Sequence, residues 1–191
     1  MRLIVGITGA SGAVYGYTLV RMLSRQGVDT SIICTDMGKK VLEYECGISE
    51  SELNKYGTVL DNHDLFAAPA SGSFQTDGMV IAPCSMNSLG AIANGMGDTL
   101  LNRCASVALK EGNKLVLMVR ETPYSMIHLD NMLKLSRAGG CILPASPGFY
   151  KKPKEIWELV SIMVMKVFDQ FHIEYPEAER WGEDHETIGL F

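Results

Sequence analysis

Short apolar runs alternate along the chain with longer stretches in which apolar residues recur every three or four positions. Arg2 to Ile7 is an apolar run ending in a glycine-rich turn and predicts a strand. Ala13 to Arg25 then places Val14, Leu19, Val20 and Leu23 at helical spacing. Val28 to Cys34 is β-branched, and Lys39 to Glu45 has a helical pattern. Further strands are predicted at Met79 to Ala82, Lys114 to Val119 and Cys141 to Leu143. Helices are predicted around Ser88 to Ala93, Thr99 to Leu109 and Met126 to Ala138, and over Ile156 to Phe171, where a core-facing stripe runs from Ile156 to Phe171. The polar segment Asn62 to Thr76 is a long loop, a length often associated with function. Strands bounded by turns and separated by helices imply an α/β architecture: a doubly wound parallel sheet, Rossmann-like and three layers deep. We expect one domain over residues 1–191, with 175–191 an aperiodic tail. In such folds ligands sit beyond the carboxyl ends of the strands.

Composition narrows the function. The chain has 191 residues, 47% of them hydrophobic, enough for one well-buried core and too apolar for disorder. A formal charge of -5 leaves no electrostatic footprint for nucleic acid or an anionic membrane, and no apolar run is long enough to span a bilayer. Met1 to Gly6 runs directly into a strand pattern without a cleavable signal, so the expected location is cytoplasmic. The 5 cysteines form no C-x-x-C pair and read as reduced, mostly buried thiols; Cys84, beside a ligand loop, is a minor candidate for a catalytic thiol. The 4 histidines are dispersed, and no metal-ligand motif is present, so no metal is expected.

The residues after each strand carry the candidate chemistry. Gly6 to Gly12 follows the first strand, and its glycines with the next helix's free N–H groups suit an anion such as a phosphate. After the second strand come Thr35 and Asp36, the latter able to imitate a ribose-holding acid, and then Glu45, which by helical position alone is better read as a solvated residue. Pro83 to Leu89 offers Ser85 and Asn87, equally suited to capping a helix or to hydrogen-bonding a ligand. Arg120 and Glu121 end a buried strand, where charges need partners. Arg103 and Lys110 lie on one helix face and could add positive charge to the same pocket. Tyr150 ends a stiff loop, and Lys166 lies one helix later. A Tyr150–Lys154 pair of the short-chain reductase type is disfavoured, because Pro153 starts a helix and leaves Tyr150 in the loop before it.

Seven motifs in order resemble the UbiX flavin prenyltransferase family. They are Gly6 to Gly12, Pro69 to Ser73 (P-A-S-G-S), Ala82 to Leu89 (A-P-C-S-M-N-S-L), Ala105 to Glu111, Val119 to Pro123 (V-R-E-T-P), Ile127 to Leu133 and Pro144 to Tyr150. The resemblance extends over residues 2–182, including Arg180-Trp181. It implies a flavoprotein fold and a transferase that builds prenylated FMN from reduced FMN and dimethylallyl monophosphate, without a metal. The flavin N5 and C6 would attack the allyl unit, adding a ring and releasing phosphate. The product would serve a UbiD-type decarboxylase as cofactor.

By the same resemblance Gly9, Ala10 and Ser11 match the FMN-binding turn, Thr35 matches a flavin-contacting serine, Ser85, Met86, Asn87 and Ser88 match a second flavin loop, and Arg120 is a further contact. Tyr150 and Lys166 match positions holding the allyl phosphate, with Arg103, Lys110 and Glu121 in the same polar cluster. Several of these residues are expected to meet across subunits of a trimer-based dodecamer. Ser11 and Glu45 are expected to relay the proton lost on alkylation. The chain departs from relatives that place a tryptophan before the P-A-S-G-S loop, having Leu65-Phe66 there. Two other readings are an oxidative FMN-dependent decarboxylase, for which His63 is the only histidine in a suitable loop, and an FMN-binding carrier or accessory subunit of a hydroxyaryl acid decarboxylase.

Overall fold

The computed structural model describes residues 1–175. In chain order it contains β1 (Arg2–Ile7), α1 (Ala13–Arg25), β2 (Asp29–Cys34), α2 (Asp36–Cys46), β3 (Thr58–Leu60), β4 (Gly78–Cys84), α3 (Met86–Ala93), α4 (Leu100–Glu111), β5 (Lys114–Val119), α5 (Met126–Arg137), β6 (Cys141–Pro144) and α6 (Ile156–Gln170). The 6 strands are all parallel, in the order β3-β2-β1-β4-β5-β6. Strand order therefore reverses between β1 and β4, which places the ligand crevice of a doubly wound sheet at their carboxyl ends.

Alternation along the central strands sorts the core into two layers. Leu3, Val5 and Ile7 of β1, Val80 and Ala82 of β4, and Val116 and Met118 of β5 pack beneath α1, α2 and α6. Ile4, Met79, Ile81, Leu115 and Leu117 face the other way, against α3, α4 and α5. The stripe on α6 is buried through Val160, Met163, Val164, Val167, Phe168 and Phe171, but its expected first member, Ile156, is exposed at the start of the helix, before α6 reaches the core. Two glycines set the depth of the mouth. A Cβ at Gly16 would strike the Ala82 carbonyl oxygen, and one at Gly38 the Ile7 carbonyl oxygen, so α1 and α2 rest directly on the strand ends.

The structure adds elements that the hydrophobic pattern does not signal. β3 is a 3-residue edge strand, and a 3-10 turn at Ala68–Ala70 interrupts the long loop. α2 begins at Asp36, three residues earlier than its apolar pattern, because the Thr35 side chain accepts a hydrogen bond from the Gly38 N–H at 3.0 Å. α6 starts at Ile156, which leaves Tyr150 in the preceding loop. Of the expected tail, Tyr175 packs edge-on against Phe168 with ring centroids 5.8 Å apart, while residues 176–191, Arg180-Trp181 included, lie outside the described residues. Among the described residues no helix is long and apolar enough to cross a membrane.

Candidate active site

Thr8, fully buried at the end of β1, ties the two sides of the crevice together. Its hydroxyl donates to the Pro83 carbonyl at 2.7 Å and accepts from the Ser85 N–H at 2.8 Å, while its own N–H reaches Pro83 O at 3.3 Å. This buried hydroxyl has both its roles satisfied, so it fixes the loop after β1 against the loop after β4.

The turn Gly9 to Gly12 then delivers α1. An external anion at this helix end is the sequence expectation, and the structure corrects it: the place is filled by the protein itself. Glu45, from the last turn of α2, accepts from the N–H groups of Gly12 at 2.8 Å and Ala13 at 3.0 Å. Burial alone would raise the Glu45 carboxyl. Hydrogen bonds from the Ser11 hydroxyl and from the Gly12 and Ala13 amides, with the nearby Arg120 charge, outweigh burial and hold it below the usual carboxylate range. Reading Glu45 as a merely solvated helix residue is therefore wrong. Arg120 donates from Nε to the Ser11 carbonyl at 3.1 Å, so Ser11, Glu45 and Arg120 form one cluster at the mouth of β1. Among the described residues nothing accepts from the N–H groups of Gly9, Ala10 or Ser11, and these remain available to a ligand.

Beside this cluster opens a cleft of about 750 Å³, the size of a small-molecule site. Three helices begin on its wall. Thr35 caps α2, Ser85 caps α3 by accepting from the Ser88 N–H at 3.2 Å, and Thr99 caps α4 by accepting from the Asn102 N–H at 3.3 Å. Their positive ends converge on one volume. Gly9, Met37, Met86 and Ala91 supply flat or apolar wall, and Asn87, Ser88 and Asn102 supply hydrogen-bonding groups. Ser85 and Asn87 thus answer the open question of cap or ligand group: Ser85 is a cap, and both also line the cleft.

The structure brings Gly9, Ala10, Ser11, Thr35, Glu45, Ser85, Met86, Asn87, Ser88 and Arg120 to the strand mouths. It does not bring the proposed phosphate cluster together within one chain. Arg103 donates from Nε to the Ala70 carbonyl at 3.0 Å, holding the P-A-S-G-S loop to α4. Lys110 pairs with Glu111 about 10 Å further along α4, toward the amino ends of the strands, because α4 runs back to feed β5. Lys166 lies on α6, in the opposite layer, 3.7 Å from Asp169. Tyr150 is half-exposed after β6, and Glu121 accepts from the Thr122 N–H at 3.0 Å. Cys84 is fully buried, and burial pushes its thiol up to about 12, which argues against a catalytic thiol. Asp36 faces His63 rather than standing alone at the strand end. Thr8, Asn62, Thr99 and Asn102 escaped the sequence reading. Thr99 carried a readable signal, a threonine immediately before an amphipathic run.

A parallel sheet of this order with a crevice beyond the ends of β1 and β4 defines a doubly wound α/β protein, and the sequence model of the Flavoprotein family matches residues 1–168. A probable UbiX-like flavin prenyltransferase of Bacillus subtilis is 46% identical over 183 residues, covering 95% of this chain and 90% of the relative. The flavin prenyltransferase UbiX of Thauera aromatica is 44% identical over 187 residues, covering 97% and 96%. The crystal structure of AnUbiX (PadA1) in complex with FMN and dimethylallyl pyrophosphate aligns with a TM-score of 0.92 at 40% identity, covering 94% of this chain and 96% of that one. A dodecameric FMN-dependent UbiX-like decarboxylase from Escherichia coli O157:H7 aligns with a TM-score of 0.92 at 43% identity, covering 95% and 99%. The chain belongs to the flavoprotein family, in its UbiX flavin prenyltransferase branch.

The residues present fit FMN. The cleft has the volume, the methionine and alanine surfaces suit a planar ring, and three helix N-termini with serine, threonine and asparagine groups suit a phosphorylated polyol chain.

Proposed function

We propose that the protein is a flavin prenyltransferase that joins the dimethylallyl group of dimethylallyl monophosphate to reduced FMN, and that the prenylated flavin passes to a UbiD-type decarboxylase. What carries the reading is one arrangement: an FMN-sized cleft that opens beside the hydrogen-bonded cluster of Ser11, Glu45 and Arg120. The high identity to proteins named flavin prenyltransferases supports it.

Reduced FMN supplies the nucleophilic ring edge when bound. The protein's part is to hold and to move a proton. The free amides of Gly9 to Ser11 and the wall formed by Met86 to Ser88 orient the ring between the β1 and β4 loops. Glu45, kept ionised by its hydrogen bonds, takes through the Ser11 hydroxyl the proton released as the new bond forms. Arg120 fixes the Ser11 carbonyl and so the position of that hydroxyl.

The departing phosphate needs cations and a phenol. Tyr150, Lys166, Arg103 and Lys110 serve this role, with the Glu121 carboxylate in the same polar cluster, by coming together from neighbouring copies in a trimer-based dodecamer of cytoplasmic location. The dodecameric relative supports such an assembly. Phe66, fully exposed, is placed to offer an aromatic face to the allyl group from a neighbouring copy.

The test is to incubate the protein with FMN, a reductant and dimethylallyl monophosphate and to weigh the flavin by mass spectrometry. A five-carbon gain is expected. Bound but unmodified flavin would replace the transferase with the carrier reading.

A further inference from the structure

We propose that His63 is the cationic contact for the flavin phosphate, an assignment that rests on the flavin reading above. Two observations fix which end of the cleft receives the phosphate. At the N-terminus of α1 the Gly12 and Ala13 amides already hold the Glu45 carboxylate, which would repel a second anion. At the other end the N-termini of α2, α3 and α4 converge, and among the described residues no carboxylate accepts from their amides, those of α4 being taken by the uncharged Asn62 and Thr99. A phosphate monoester carries up to about two negative charges, and each helix end offers roughly half a positive one. Two carboxylates, Asp36 and Asp98, also line this end. Among the described residues no lysine or arginine does, and His63 is the only lining side chain able to bear a full positive charge.

His63 is held in place on both sides. Its N–H donates to Asp61 Oδ1 at 3.0 Å. The preceding residue, Asn62, is buried and caps α4 twice, its carbonyl accepting from the Leu100 N–H at 2.8 Å and its Oδ1 from the Leu101 N–H at 3.1 Å. Across the cleft, His63 Nε2 lies 3.3 Å from both carboxylate oxygens of Asp36, the first residue of α2. A carboxylate only accepts, so Nε2 carries a hydrogen in this contact. Among the described residues nothing occupies Nδ1. With a proton on each nitrogen the ring donates to Asp36 through Nε2 and to a phosphate oxygen through Nδ1. The charged groups around it are Asp36 on α2, Asp98 ahead of α4, and Asp61 and Asp64 on its own segment, with Lys39 of α2 engaged by Glu50 at 3.1 Å. All of these neighbours but the lysine are acidic. Asp36 is then a counter-ion for His63 and not a ribose ligand.

The test compares FMN with riboflavin, which lacks the phosphate, by flavin fluorescence titration at low ionic strength. For His63→Gln, FMN binding should weaken roughly tenfold with riboflavin binding unchanged, and His63→Lys should restore the preference for FMN. His63 is exposed, so neither variant should change the melting temperature. If His63→Gln shifts both flavins equally, or neither, the assignment is wrong. If the unaltered protein binds neither flavin, the flavin reading itself falls, and this assignment with it.

Discussion

Glu45→Gln separates the structural role of this side chain from its chemical one. Glu45 Oε2 accepts from two amides at the start of α1, at 2.8 and 3.0 Å. A glutamine oxygen can take the same bonds but carries no charge to the helix end. A carboxylate there contributes about 0.3–1 kcal/mol, so stability should fall by no more than about 1 kcal/mol, or roughly 2–4 °C in melting temperature for a chain of this size. Glu45 does not line the cleft, and FMN affinity should stay within about twofold. Turnover should drop about 10²- to 10⁴-fold, the range for loss of a positioned proton acceptor. The sign of the pH effect follows from the lowered carboxyl. Its stabilisation is complete above the ordinary value of 4.5 and is lost as the pH falls through the depressed folded value. The melting temperatures of wild type and variant should therefore converge in acid. Scanning calorimetry, fluorescence titration and mass spectrometry of the flavin give the three numbers. Normal turnover in Glu45→Gln would remove Glu45 from the proton path, and a gap that persisted in strong acid would refute the charge argument.

Thr8→Val removes a hydroxyl that both donates to Pro83 and accepts from Ser85 in a fully buried place, and should cost about 2–3 kcal/mol in urea unfolding while weakening FMN binding. Gly16→Ala drives a methyl into the Ala82 carbonyl; a loss of about 3 kcal/mol is expected, and a neutral result would mean that α1 can lift off β4. Thiol reagents should leave Cys34, Cys84 and Cys104 unmodified in the native protein at pH 8, since burial pushes all three thiols up to about 12; labelling of Cys84 ahead of global unfolding would contradict the closed strand end.

The central strands and the longer helices were legible because each buries a repeated apolar face, and period carries that information. β3 was not, since Thr58–Leu60 is too short for a pattern and lies half-exposed at the sheet edge. Helix starts were misplaced by two or three residues at α2 and α3, where Thr35 and Ser85 extend the helix beyond its first apolar position. The site divides in the same way. Glycines and hydroxyls next to strand ends could be found from chain order alone. Glu45 could not, because its partners lie 32 and 33 residues away in sequence and are met only when α2 packs beside α1. The cation cluster for the donor phosphate came from resemblance alone, and its members are spread over both layers of a single chain.

The staple made by Thr8 has a bearing on kinetics. Because one side chain binds the loops after β1 and β4 to each other, neither can wander independently before the flavin arrives. The receptor surface is rigid in advance, so little affinity is lost to ordering it, and flavin capture should proceed in a single fast phase without a slow rearrangement behind it.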